Sequence, residues 1–318
     1  MKFNICTNLD NGVGLEKDYW VLRRLLESWG HQVTGVHYKK QNQIEEAPKV
    51  DVNIFLEVIQ YDVVKKAAKN WLIPNPEWFA KEDHQNDLRP ITKILCKTRD
   101  AAKLFSDLYS TVEVQYMGFE SEDLYDESVP RLRKFLHVAG QSRYKNSQAV
   151  AYAFAKFFDD PSDKDIHKEL VFIGAYPEEV QLARDHKNVT YIQHAAPLQL
   201  KKLMNECLFH IIPSGAEGWG HVIHEGLGVG NVVMTTNFPP MNEFSGVDPE
   251  LLIPYQRSTP ELAAQRAFVG AMEVKAMIEK VWALTPDRIH GIQLKAREYF
   301  LQQREDFRAK FKAVVEAA

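Results

Sequence analysis

The sequence predicts an α/β protein built on parallel sheets, and three observations carry that prediction. Short β-branched or apolar runs alternate with longer segments whose apolar residues recur at helical spacing. Glycines and polar residues cluster where these runs hand over to one another. At 318 residues the chain exceeds the roughly 250–300 at which a single core stops growing, so two domains are expected.

Residues 2–7 read as a strand, 8–14 as a glycine-bearing turn, 15–29 as a helix stopped by Gly30, and 32–36 as a second strand. Together they form one βαβ unit. Strands at 52–56, 70–73, 92–96 and 112–116, with a helix at 99–109, complete one open sheet. A basic stretch at 63–70, carrying Lys65, Lys66 and Lys69, reads as a helix with a solvated face, and peripheral membrane contact through it is the competing reading. Residues 120–133 (ESEDLYDESVPRLR) turn acidic and irregular, and the strand rhythm restarts at Lys134. Strands then follow at 135–139, 169–173, 189–192, 209–212 and 232–235, with helices at 147–158, 178–186, 197–205 and 219–228. Residues 261–318 read as nearly all helical, broken at Pro286 and Gly291. The expected domains are 1–133 and 134–290, followed by a terminal helix over 291–318.

Composition narrows the function classes. Hydrophobic residues at 45% and charged residues at 26% exclude collagen-like, disordered and coiled-coil chains. The net charge of −4 divides into −5 over 1–130 and +1 over 131–318, so neither half has the basic excess that duplex nucleic acid demands. No run approaches the roughly 18 apolar residues of a membrane span, and the polar-ended start reads as a strand, so the expected location is the cytoplasm. Cys6, Cys96 and Cys207 are isolated in apolar segments and read as core packing.

Working residues in open α/β sheets come from loops at the carboxyl ends of strands. After strand 135–139 comes Gly140-Gln141-Ser142-Arg143-Tyr144-Lys145-Asn146. Its glycine admits a ligand to the backbone, and Arg143 and Lys145 stand ahead of a helix N-terminus, which suits an anion such as a diphosphate. Solvated surface charge is the plainer reading. After strand 209–212 comes Pro213-Ser214-Gly215-Ala216-Glu217-Gly218-Trp219-Gly220-His221, opening a helix that carries Glu225. Gly218 and Gly220 strip side chains from the first turn, exposing N–H groups to phosphate. Glu225 lies two turns on, where a carboxylate can accept from ribose hydroxyls. The plainer reading makes Glu217 a helix-end charge and Glu225 an exposed helical residue. The run Gly226-Leu227-Gly228-Val229-Gly230 ends a helix and precedes a strand, so it is a helix stop rather than a dinucleotide fingerprint.

This arrangement resembles the retaining, nucleotide-sugar-dependent glycosyltransferases of the GT-B fold, especially family 4. That family places a Glu, seven residues and a second Glu after a strand ending in Pro-Ser, as Pro213-Ser214, Glu217 and Glu225 do here. The strand, glycine and basic loop of 138–146, the segment 170–174, the strand 189–192 and the run VVMTTNFPPMNE at 232–243 follow in the family's order. Departures are Gln141 for the usual Arg, Trp219 for the usual Phe, and Lys145-Asn146 for Lys-Gly.

The resemblance implies two Rossmann-like domains facing across a cleft, with a C-terminal helix crossing back to the first. It implies hexose transfer from a nucleotide-diphosphate sugar, a UDP-sugar foremost, to a hydroxyl acceptor on a glycan, lipid-linked or small molecule, with retention and without a metal. Lys145 and Arg143 would then face the diphosphate and Glu217 the donor sugar. Gly218, Trp219 and Gly220 would bind phosphate, together with Gly12 and Gly14 of the first turn, and Glu225 the ribose. The acceptor would enter from the first domain, with Asn75, Glu77 and His84 as candidate contacts. A structural turn packed by Trp78 is the competing reading of that loop. Competing functions are a phage-type DNA-modifying glycosyltransferase and a non-catalytic nucleotide-sugar or glycan-binding protein.

Overall fold

The alternation of short apolar runs with helical segments resolves, in a computed structural model, into two six-stranded sheets, each wholly parallel. The structure describes residues 1–10, 12, 14–80, 87–158, 168–174, 176–184, 186–245 and 247–318. The chain forms two compact units. Unit 1 comprises Met1–Ser121, Pro260–Gln265 and Gln303–Ala318, and unit 2 comprises Glu122–Thr259 and Arg266–Gln302.

Unit 1 is built on β1 (Lys2–Thr7), β2 (Gln32–His37), β3 (Val50–Leu56), β4 (Ala67–Ile73), β5 (Lys93–Cys96) and β6 (Glu113–Tyr116), in the order β2-β1-β3-β4-β5-β6. Central strands buried on both faces need continuous apolar runs, and β1 and β3 supply them through Phe3, Ile5, Ile54 and Phe55, all fully buried. Register is pinned by a polar ladder: Asn4 donates to the Asn53 side chain at 3.0 Å, and Asn53 donates to that of Asn70 at 2.8 Å. A one-residue slip would strand these buried amides. Helix α1 (Gly14–Ser28) is followed by Gly30, whose φ of +81° suits the glycine stop, and α2 (Gln41–Glu46), α3 (Tyr61–Val64) and α4 (Arg99–Leu108) follow in the chain. The strand β4 begins at Ala67, so the basic stretch 63–70 is not one helix.

Unit 2 holds β7 (Leu132–Gly140), β8 (Leu170–Gly174), β9 (Val189–Ile192), β10 (Cys207–Ile212), β11 (Val232–Thr236) and the short β12 (Leu252–Ile253), in the order β12-β11-β10-β7-β8-β9. Helix α5 (Ser147–Phe157) follows β7, α7 (Pro197–Glu206) precedes β10, and α8 (His221–Gly228) follows it. Where a helix was expected over 178–186, only the single turn α6 (Pro177–Val180) forms.

The expectation of helix throughout 261–318 is corrected in two places. Strands β13 (Arg257–Glu261) and β14 (Ala264–Phe268) pair as a two-stranded sheet. After α9 (Ala271–Trp282), helix α10 runs Pro286–Glu316 with no break at Gly291. One glycine costs a helix about 1 kcal/mol, which 31 residues of pairing and packing absorb. In unit 1 the last turns of α10 bury Phe307 against Phe119 at 4.9 Å and set Phe311 against Trp29 at 5.7 Å. The Arg308 Nε donates to Glu120 Oε2 at 2.6 Å beside them. All three cysteines are buried. Among the described residues no helix is long and apolar enough to cross a membrane.

Candidate functional site

Open parallel sheets present a crevice beyond the carboxyl ends of their strands where the strand order reverses. In unit 2 that reversal lies between β10 and β7, the two strands that deliver loops 140–146 and 213–220. The first loop leaves β7 through Gly140, with φ +57°. It enters α5 through Asn146, whose φ of +47° places a non-glycine residue in the left-handed region. The Asn146 amide compensates by donating to the Pro213 carbonyl at 2.8 Å and the Ala267 carbonyl at 3.2 Å.

The second loop is tied to the first through its backbone. Gly215 N–H donates to the Tyr144 carbonyl at 2.6 Å, and its own carbonyl accepts from Ala267 N–H at 2.9 Å. A Cβ at Gly215 would fall far inside contact distance of the Ala267 carbonyl oxygen. Gly215→Ala is therefore expected to cost about 1–3 kcal/mol through forced backbone displacement. A lowered melting temperature together with weakened nucleotide binding is the expected result of calorimetric measurements on that variant.

These ties bring Lys145 and Glu217 together as an ion pair between Nζ and Oε1, with side chains only 8% and 11% exposed. The pair sits at the strand-order reversal, two residues after the Gly215 contact. Gly220, with φ +78°, caps α8. Trp219 does not project freely: its ring stacks on His224 at 3.8 Å, and Phe244 closes edge-on against both. Residues 218–220 are themselves buried around this packing. Glu225 is 1% exposed in the second turn of α8, so it is not a solvated helical residue.

Arg143 lies apart from the pair. Its guanidinium donates to Glu178 Oε1 at 2.8 Å and covers the Tyr176 ring at 3.8 Å, with the side chain 56% exposed. Near Arg143 the strand β14 adds a cation that helical reading of 261–318 concealed. The Arg266 Nη2 donates to the Arg143 carbonyl at 2.8 Å.

Three buried histidines frame this region. His137 on β7 donates from Nδ1 to the Ile211 carbonyl at 2.7 Å, which leaves Nε2 to accept from the Ser147 hydroxyl at 2.9 Å. Burial pushes His137 and His210 down to about 4 and His224 to about 3. Because these values fall below that of an unfolded histidine, near 6.5, the unfolded chain binds more protons between those limits. Unit 2 is therefore expected to lose stability as pH falls from about 6.5 toward 4, with uptake of up to about three protons on unfolding. Urea midpoints at pH 7 and pH 5 check this, and an unchanged midpoint would refute it.

In unit 1 the reversal lies between β1 and β3. Glu57 follows β3 with φ +65°, and its carboxylate accepts from the Asn75 amide. Burial pushes the Glu57 carboxyl upward, opposed by the Asn75 hydrogen bond and by Lys97. Lys97, after β5, donates at 2.8 Å to Asp18 of α1, and both side chains are 3% exposed. Asn75 thus joins a polar cluster with Glu57, while Glu77 is buried in the 3-10 turn Pro76–Trp78. Trp78 is 58% exposed, so Phe79, buried against Phe105 at 5.0 Å, packs this turn instead. Gly12 donates its N–H to Glu16 at 3.0 Å, and Gly14 opens α1. His84 lies outside the described residues. Asp18 carried no sequence signal, since one acid on a helix is indistinguishable from a solvated charge. Among the described residues, no group of three or more His, Cys, Asp or Glu is placed to hold a metal.

No protein-family model and no curated protein matches the chain. Solved structures do. A sucrose-phosphate synthase from Thermosynechococcus elongatus matches with a TM-score of 0.73 at 12% identity, covering 100% of this chain and 98% of that one. Anabaena Alr3699/HepE, solved with UDP and glucose, matches with a TM-score of 0.70 at 14% identity over 100% of both chains. The trehalose-6-phosphate synthase OtsA matches at 0.72 and 9% identity, covering 100% of this chain and 98% of that one. Paired parallel sheets and these full-length likenesses give the chain the two-domain α/β GT-B fold that its motifs implied.

Proposed function

We propose that the chain is a retaining glycosyltransferase that moves a hexose from a nucleotide-diphosphate sugar, a UDP-sugar foremost, to a hydroxyl acceptor without a divalent metal. The carrying observation is the buried Lys145–Glu217 pair at the strand-order reversal of unit 2, beside the glycine-flanked start of α8. Support comes from the likeness to HepE, solved with UDP and glucose, and to a trehalose-6-phosphate synthase studied for glycosyl transfer with retention.

Transfer separates charge: the diphosphate leaves with the bonding electrons while the anomeric carbon becomes cationic. Fixed positive groups aimed at the leaving phosphate are the largest expected contribution. Lys145 Nζ supplies one, and the first N–H groups of α8 with their dipole supply another. In this reading Lys145 exchanges part of its contact with Glu217 for phosphate oxygen, and Glu217 turns to the hydroxyls of the donor sugar. Glu225 takes the ribose hydroxyls. Residues 134–290 carry the donor side, 1–133 the acceptor side, and 291–318 the closing helix. Asn75, held by Glu57, presents the first acceptor contact, with Glu77 behind it. A cytoplasmic location, where nucleotide sugars are made, is part of this reading.

The test is turnover of UDP-, GDP- and ADP-sugars with a panel of hydroxyl acceptors, with the anomeric configuration of the product read by proton NMR. A product of retained configuration, abolished in Glu217→Ala, is expected. An inverted product would overturn retention, and binding without turnover across the panel would make the chain a binding protein.

A further inference from the structure

The Lys145–Glu217 pair is electrically neutral, so by itself it offers no net charge to a diphosphate carrying two or more. Arg143, two residues earlier, is turned to Glu178 and solvent. If only the two strand-end loops are counted, a diphosphate site at the reversal of unit 2 therefore has Lys145 as its one inward cation, already paired with Glu217.

Strand β14 supplies a second. Its backbone is registered on both loops: Ala267 N–H donates to the Gly215 carbonyl at 2.9 Å, and the Ala267 carbonyl accepts from Asn146 at 3.2 Å. From this frame the half-buried Arg266 lies with its guanidinium carbon 4.8 Å from the Tyr144 ring centre and 4.9 Å from that of Phe268. Its Nη2 donates to the Arg143 carbonyl at 2.8 Å. Its Nε is buried and has no hydrogen-bond acceptor among the described residues, nor does the side chain form an ion pair there. Burial pushes the Glu179 carboxyl up, opposed by the nearby charges of Arg143 and Arg266.

A buried, unanswered N–H is destabilising. A planar guanidinium locked between rings and a carbonyl is already organised for an oxyanion, with little rotamer freedom left to lose.

We propose that Arg266 is the second fixed cation of the diphosphate site, placed there by the β13–β14 hairpin. This rests on the reading of unit 2 as a nucleotide-sugar site and adds a residue that its two strand-end loops do not contain.

Titration calorimetry of the full chain tests it with three probes: UDP, uridine and inorganic pyrophosphate. Arg266→Ala is expected to weaken UDP and pyrophosphate about 10- to 100-fold, the loss of a charge-assisted hydrogen bond, and to leave uridine unchanged. Arg266→Lys should recover part of the pyrophosphate affinity. Arg266→Gln keeps a donor for the Arg143 carbonyl, so a loss there with an unchanged melting temperature excludes a folding defect. Wild-type affinity in Arg266→Gln, or a loss that follows Arg143→Ala instead, would overturn the proposal. Pyrophosphate binding lost in Arg266→Gln without any nucleotide binding would sink the functional reading and leave the cation site standing. Failure of wild type to bind any of the probes would overturn both.

Discussion

Lys145→Ala is expected to lower kcat by roughly 10²- to 10³-fold, the usual cost of deleting one preorganised group that meets developing charge. The side chain is 8% exposed and paired with Glu217, so its position is set by the fold before any substrate arrives. An exposed lysine would spend binding energy on ordering its four-carbon stem, whereas this one has already lost that freedom. The substitution also leaves the Glu217 carboxylate, 11% exposed, without its ion-pair partner, so some stability is lost too. Lys145→Met separates the two effects when compared with the double change Lys145→Met, Glu217→Gln. The double variant should regain melting temperature and remain inactive. Full kcat in Lys145→Ala would contradict the assignment.

The second large effect is in unit 1. Asp18→Ala is expected to cost about 3–5 kcal/mol, because it leaves the Lys97 ammonium buried and uncompensated. Asp18 and Lys97 are each 3% exposed and meet at 2.8 Å, which places the pair in the class where breaking it is far worse than replacing it. The double change Asp18→Leu, Lys97→Met should accordingly return most of the lost stability. Its functional consequence differs, since Lys97 also opposes the upward push that burial gives the Glu57 carboxyl. Acceptor KM should therefore rise in the double variant even where stability recovers. Urea unfolding and steady-state kinetics read the two separately, and a loss below about 1 kcal/mol in Asp18→Ala would refute the buried-pair account.

Much of the architecture was legible because parallel strands buried on both faces write themselves as apolar runs. Phe135 to Ala139 and Phe209 to Ile212 are such runs, and the residues after them include Lys145 and Glu217, which the structure pairs. What escaped lacked that signal. Strand β14 reads AQRAF with a single buried residue, so its pattern carries no apolar face that sets it apart from the helices that follow. With the hairpin went Arg266. Sequence shows the charge of Arg143 but not its direction, and the structure turns it toward Glu178. Lys65, Lys66 and Lys69 suggested a basic helix, yet the pull of a strand beside β3 begins β4 at Ala67. Glu57 and Asp18 gave no sign of their partners, since those lie across strands and helices far apart in the chain.

In the function proposed above, unit 2 holds a nucleotide-diphosphate sugar on its own cations and backbone amides. Calorimetric titration of the wild-type chain with UDP-, GDP- and ADP-sugars in the presence of EDTA tests it most directly. Saturable binding of at least one of them, lost in Lys145→Ala, is the predicted result. No binding across the panel, or binding that EDTA abolishes, would contradict it.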